Sequence, residues 1–183
     1  MSGAHGHVDH HGGNRGVALL ISILALVLAF SETLGKSAQT SALSYNIEAS
    51  NLWAFFQAKT IRQTTLRTAA EQMEAANPGA AASRQIAKWK ETAERYQTEP
   101  ETGEGRKELA ARAKAAEHKR DRAMSAYHHY EVSSAAVQIA IVLASASIIT
   151  TMPVLVWLAG ALGLAGIAFC VIGFWFPAAV HLF

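Results

Sequence analysis

Charge and apolarity are segregated along this chain, and that segregation constrains its fold more than any other feature. Val17 to Phe30 and Val132 to Phe176 contain no Asp, Glu, Lys or Arg, whereas charged residues crowd between Lys36 and Glu131. A soluble helix mixes the two classes within every turn or two, because one face meets the core and the other meets water. Long stretches without charge are what a helix needs to lie in hydrocarbon. The hydrophobic content of 51% decides nothing by itself, since soluble domains come close to that figure. Arrangement is the signal, and it predicts an all-α integral membrane protein.

Three spans are predicted. The first, residues 17–34, reaches about 18 residues only when it is run to Leu34, near the lower limit for crossing the apolar core, and Glu32 then falls at the interface. A secretory signal is the competing reading, with Arg15 as its basic flank and Thr40-Ser41-Ala42 as a small-residue cleavage site. The second span, 132–149, and the third, 154–176, are separated by Thr150-Thr151-Met152-Pro153, a link short enough to make them a helical hairpin. Trp157 at one end of the third span, and Phe174, Trp175 and Phe176 at the other, suit interfacial aromatic belts. Lys119, Arg120 and Arg122 precede the second span and Lys36 follows the first, while the link and the tail 177–183 have no Lys or Arg. The positive-inside rule then places the central region and the C-terminus in the cytoplasm and the N-terminal tail outside, with Arg15 opposing.

The central region, 35–131, reads as an antiparallel coiled-coil hairpin. Ala42, Tyr45, Ala49, Leu52, Phe56, Lys59, Gln63, Leu66, Ala70 and Met73 are spaced by threes and fours, and eight of these ten are apolar or aromatic. A 3.5-residue repeat held this long implies a left-handed coiled coil. Backwards, the frame passes through Gly35, Ser31, Leu28, Leu24, Ile21 and Val17, so the first span and first arm are expected to form one helix. Asn77-Pro78-Gly79 ends that arm. A second helix, about 80–98, carries Ile86, Trp89, Ala93 and Tyr96 on its seam, and 99–105 breaks the chain again. The third runs from about 106 to 131 through Leu109, Ala113, Ala116, Arg120 and Tyr130, continuing into the second span by Ser134, Val137, Ile141, Ala144 and Ile148.

At 1.5 Å per residue the first arm, 36–76, is about 60 Å long, and the other two sum to roughly that length, so they should return along it end to end. Aligning the arms puts Glu48 beside Lys119 and Arg120, Lys59 beside Glu108, Glu71 beside Arg84 and Arg62 beside Glu94. Exposed pairs of this kind contribute under about 1 kcal/mol each and act mainly on register.

Few residues carry reactive chemistry. The tail 1–16 holds His5, His7, Asp9, His10 and His11, donors suited to zinc, nickel or copper; glycines around them fix no geometry, and weak incidental binding is the competing reading. Lys59 and Gln63 sit on the seam, where polar residues set register or oligomer state, with a ligand site as the alternative. His128 and His129, between Tyr127 and Tyr130, suit anchoring at headgroup depth, or pH sensing. Ser134, Gln138 and Ser145 share a face of the second span and would bond another helix or line a wet path. Ala159, Gly163, Gly166, Cys170 and Gly173 form a small-residue stripe on the third span that admits a close backbone, from within the chain or from another protomer. Cys170 is the single cysteine, which excludes an intrachain disulfide and a Cys-based zinc site. There is no P-loop, dinucleotide fingerprint or HExxH, and no cofactor is expected. Between Lys36 and Arg122 the basic residues exceed the acidic by four but are interleaved with them, which gives no nucleic-acid footprint.

The segment Ala49-Ser-Asn-Leu-Trp53-Ala-Phe-Phe-Gln57-Ala-Lys59-Thr-Ile-Arg62, just beyond the first span, resembles a bacterial family of small inner-membrane proteins catalogued only as a domain of unknown function. The His-rich tail and the order of segments are also similar to it. The resemblance implies an N-terminal span, a charged helical middle, two C-terminal spans and a bacterial inner-membrane address, and it brings no activity or catalytic residue. The expectation for function is a non-enzymatic, homo-oligomeric scaffold held by the third-span stripe and the stalk, with a cytoplasmic protein partner on the hairpin. The rivals are an oligomeric channel or transport accessory, for which the uncharged link offers no cation filter, and an accessory subunit of a larger membrane complex.

Overall fold

A computed structural model of the chain describes residues 11–76 and 79–178, and the backbone alone at 11–14 and 81. Four helices are present among the described residues: α1 (His11–Ala75), α2 (Ala80–Gln97), α3 (Arg106–Thr150) and α4 (Pro153–Trp175). No strand occurs among them. Parts of α1, α3 and α4 are long and apolar enough to cross a membrane. The expected merger of first span and first arm is seen in α1, a single helix of 65 residues. Its last turn ends ahead of Asn77-Pro78, where proline disfavours helical backbone at the residue before it.

The chain divides into two compact units, one comprising the chain up to Ser41 together with Arg122 onward, the other Ala42–Asp121. In the second unit the seam read from the sequence is the buried face of α1: Ala42, Ala49, Leu52, Lys59, Gln63 and Ala70 are all buried. Ala49 and Leu52 pack with Leu109, Ala113 and Ala116 of α3, and Trp53 and Phe56 lie over that cluster. So many alanines bring the helix axes close but bury little area per layer. Polar contacts must therefore help to fix the register.

Those contacts are not the predicted ones. Glu48 is exposed, and Arg120 instead turns to the Asn46 amide oxygen at 3.5 Å and to Asp121. Lys119 lies over the Tyr45 ring, 5.6 Å from its centre. Lys59 meets Glu99 and Glu104 rather than Glu108. Glu94 pairs with Arg67, not Arg62, and Glu74 with Lys90 takes the place of Glu71 with Arg84. The alignment of α1 with α3 holds to within a turn, and that of α1 with α2 is kept at Gln63, which bonds the Ala93 carbonyl, so what differs is the choice of charged partners. At the break, Gln97 at the end of α2 and Arg106 at the start of α3 both reach Gln63. Residues 98–105 loop aside, helped by Gly103 at φ 67°, a left-handed conformation that costs glycine nothing.

In the other unit, Leu24, Val137, Ala140, Ala144 and Ala159 form the core, flanked by Val17, Leu20, Ile21 and Leu162 among others. Its outer surface is apolar: Leu19, Val142, Ile149, Trp157 and Leu164 are all more than 60% exposed. Water would disfavour a patch of that extent, and lipid accepts it. The unit is thus membrane-associated in composition and surface. Beyond Tyr130 the predicted seam of α3 holds at Val137 and Ala144, both buried, while its alternate positions move back by one: Ser133, Ala140 and Ser147 are buried, whereas Ser134 and Ile141 are half-buried and Ile148 is exposed. Here α3 packs against α1 and α4 together, and the buried face centres between the two contacts. The α3–α4 link is tight, with Thr151 at φ 55° and Pro153 in the first turn of α4, where its missing N–H has no bond to lose.

Candidate functional site

The densest polar constellation surrounds Lys59, on the α1 segment singled out by its Trp-Ala-Phe-Phe-Gln-Ala-Lys sequence. Lys59 is only 5% exposed. A buried ammonium without partners would cost several kcal/mol, and this one is met from every side. Its Nζ lies 3.2 Å from Glu99 Oε2 and 3.7 Å from Glu104 Oε2, and within 5.5 Å of the ring centres of Phe55 and Tyr96, whose π faces attract a cation. Hydrogen bonding from Lys59 holds the Glu99 carboxyl below its ordinary pKa, desolvation opposes this, and Lys59 charge and Arg95 add to the lowering.

One turn on, Gln63 is saturated. Its Nε2 donates to the Ala93 carbonyl at 2.9 Å and to Gln97 Oε1, while its Oε1 accepts from Arg106 Nη1 at 2.5 Å. Arg106 also donates from Nε to Thr60 Oγ1 and from Nη1 to Gln97 Oε1, and its guanidinium stacks 5.0 Å from the Phe56 ring centre. Gly105 closes the cluster, because a Cβ there would overlap the Glu108 carboxylate and the Glu99 backbone nitrogen. Trp53 Nε1 donates to Glu117 Oε1 at 2.9 Å. Side chains from α1, α2, the break and α3 thus form one clasp. Lys59, Gln63 and Arg106 direct their hydrogen bonds and charges at one another and at neighbours within the cluster.

Lys59 and Gln63 were legible because polar residues at seam positions stand out. Arg106, Gln97 and Glu99 were not, since they flank a break and belong to no periodic pattern; a Gln or Arg just beside a Gly-rich break would have been the signal.

Within the membrane-type unit, Ser31, Ser133 and Gly166 form a relay across three helices. Ser133 Oγ donates to the Gly166 carbonyl at 2.7 Å. Having one proton, it accepts from Ser31 Oγ, 2.9 Å away. The polar stripe expected on the second span falls beside this relay: Ser134 is half-buried, Gln138 is exposed and donates to Glu32, and Ser145 bonds back to its own Ile141 carbonyl. On this span the buried serines are instead Ser133 and Ser147.

The stripe on α4 is filled from within the chain. Ala159, Gly163, Gly166 and Gly173 are buried and Cys170 is half-buried. A Cβ at Gly163 would lie 2.5 Å from Leu24 Cδ2, one at Gly166 2.5 Å from Val137 Cγ2, and one at Gly173 2.9 Å from His129 Cβ. The glycines serve close packing of α4 on α1 and α3, which leaves no room on this face for a second copy. His129 is buried, its Nδ1 donating to the Ser125 carbonyl at 2.7 Å while Nε2 has no protein partner. A groove of about 440 Å³ lies between α1 and α3, lined among others by Glu32, Lys36, Tyr127, Glu131 and Gln138.

His5, His7 and His10 lie outside the described residues, as does the side chain of His11. Among the described residues no group of His, Cys, Asp and Glu could hold a metal.

No curated protein and no solved structure matches the chain. Residues 13–176 match the model of a family described as "Domain of unknown function (DUF4337)", a stretch that takes in all three apolar segments and the clasp, and the chain belongs to that family.

Proposed function

We propose that the protein is a non-enzymatic scaffold of the bacterial inner membrane, acting as a homo-oligomer whose coiled-coil hairpin stands in the cytoplasm and presents a surface to a protein partner. The observation that carries this reading is the clasp at Lys59, Gln63 and Arg106, where buried polar groups are consumed in locking the hairpin. A catalytic or binding site keeps such groups free for its substrate. A presenting stalk needs them bound, because a fixed surface loses less entropy when it docks.

Native mass in mild detergent tests the proposal. The expected result is a defined multiple of the 19.6 kDa chain, and the same assembly in liposomes should pass no current above background. A monomer would contradict the oligomer, and a selective conductance would replace the scaffold with a channel.

A further inference from the structure

In the unit Ala42–Asp121, the large hydrophobic side chains that remain exposed all lie on α1: Leu43, Ile47, Phe55 and Ile61, with Ile61 at 66% and Leu43 at 60%. Among the described residues of that unit, α2 and α3 expose none. Leu43, Ile47, Ala54, Ile61 and Thr68 fall on the side of α1 opposite the buried seam, and no charged residue occupies these positions. Beside Ile61 a shallow groove of about 530 Å³ runs between Thr60, Thr64, Thr65, Thr68 and Gln72. The outward side of a helix in water is ordinarily its most charged. The exposed positions of α2 include Arg84, Lys88, Lys90, Glu91 and Glu94, so α1 departs from its own neighbour.

The spacing says what kind of surface covers this stripe. Ile47, Ala54, Ile61 and Thr68 recur every seven residues, the repeat by which one helix packs along another. Its composition says which helix. In a parallel pairing of identical helices every residue meets its own counterpart, so any charge on the stripe would repel itself; aliphatic, alanine and threonine positions do not. Copies anchored in one bilayer with the same orientation also meet at the same level, and confinement to the membrane raises their effective concentration. The stripe from Leu43 to Thr68 is about 38 Å long at 1.5 Å per residue, ample for a helix pair.

We propose that α1 packs in parallel against α1 of a second copy along Leu43, Ile47, Ala54, Ile61 and Thr68. This rests on the homo-oligomer reading and gives it an interface, one the filled stripe on α4 does not provide.

The test uses the full chain in native membranes with Cys170→Ser as background. Ile61→Cys should form a disulfide-linked dimer under mild oxidation, whereas Glu91→Cys on the exposed side of α2 should not. In detergent, Ile47→Asp with Ile61→Asp should lower the native mass while helicity by circular dichroism stays unchanged, since both side chains are exposed. A monomeric wild type would overturn the oligomer reading and this interface together. An oligomeric wild type in which Ile61→Cys links no better than Glu91→Cys, or whose mass survives the double aspartate, would overturn this interface alone.

Discussion

At the scale of single residues, the hairpin is specified by a few polar side chains in an otherwise alanine-rich seam. Lys59 and Gln63 interrupt the apolar repeat and are buried in spite of it, so each misalignment of the helices would strand a donor or a charge. The acid Glu99 ties this to pH. Its carboxyl titrates below the ordinary value of 4.5, chiefly through the hydrogen bond from Lys59. A carboxyl lowered by folding contributes stability that is present above the unfolded pKa and lost as pH falls through the folded one. Thermal unfolding in detergent should therefore show wild type more stable than Glu99→Gln by a constant margin near neutrality. That margin should shrink only below about pH 4.5. A gap that is unchanged at lower pH would mean that the Lys59–Glu99 contact does not hold the loop.

At the scale of elements, what was legible followed the unbroken heptad repeat. The seam of α1 could be read from Leu24 through to Ala70 because that repeat runs without a slip past every helix it meets. On α3 the reading held at Val137 and Ala144 but took Ser134 and Ile141 in place of the buried Ser133 and Ala140, where α3 packs on α1 and α4 together. The ion-pair partners of α2 and the contacts of Gln97 and Arg106 with Gln63 were not legible, since no periodicity crosses residues 98–105 and these contacts are made by residues on either side of the break. The glycines of α4 were recognised as a close-packing stripe, but a sequence does not say whose backbone approaches. The chain's own helices do, and this changes the expected phenotype of Gly166→Leu. Its side chain would collide with Val137 and the Ser133 carbonyl, and overpacking of that kind costs about 1–3 kcal/mol. The variant should lose thermal stability while its folded fraction keeps the wild-type native mass. A stable variant that dissociates would move the oligomer contact back to α4.

At the scale of the whole molecule, three helices have the length and composition to span a membrane, with a charged helical segment between the first and second. Charge segregation made this architecture legible from the start, because hydrocarbon imposes a stricter composition on a helix than any soluble core does. The proposed sidedness rests on Lys36, Lys119, Arg120 and Arg122, which by the positive-inside rule would keep the hairpin on the cytoplasmic side. The membrane topology is tested most directly by labelling intact cells with a membrane-impermeant maleimide, using single cysteines at Ser2 and at Thr102 in a Cys170→Ser chain. Ser2→Cys should be labelled in intact cells, and Thr102→Cys only after the membrane is permeabilised. Labelling of Thr102→Cys in intact cells would contradict that topology.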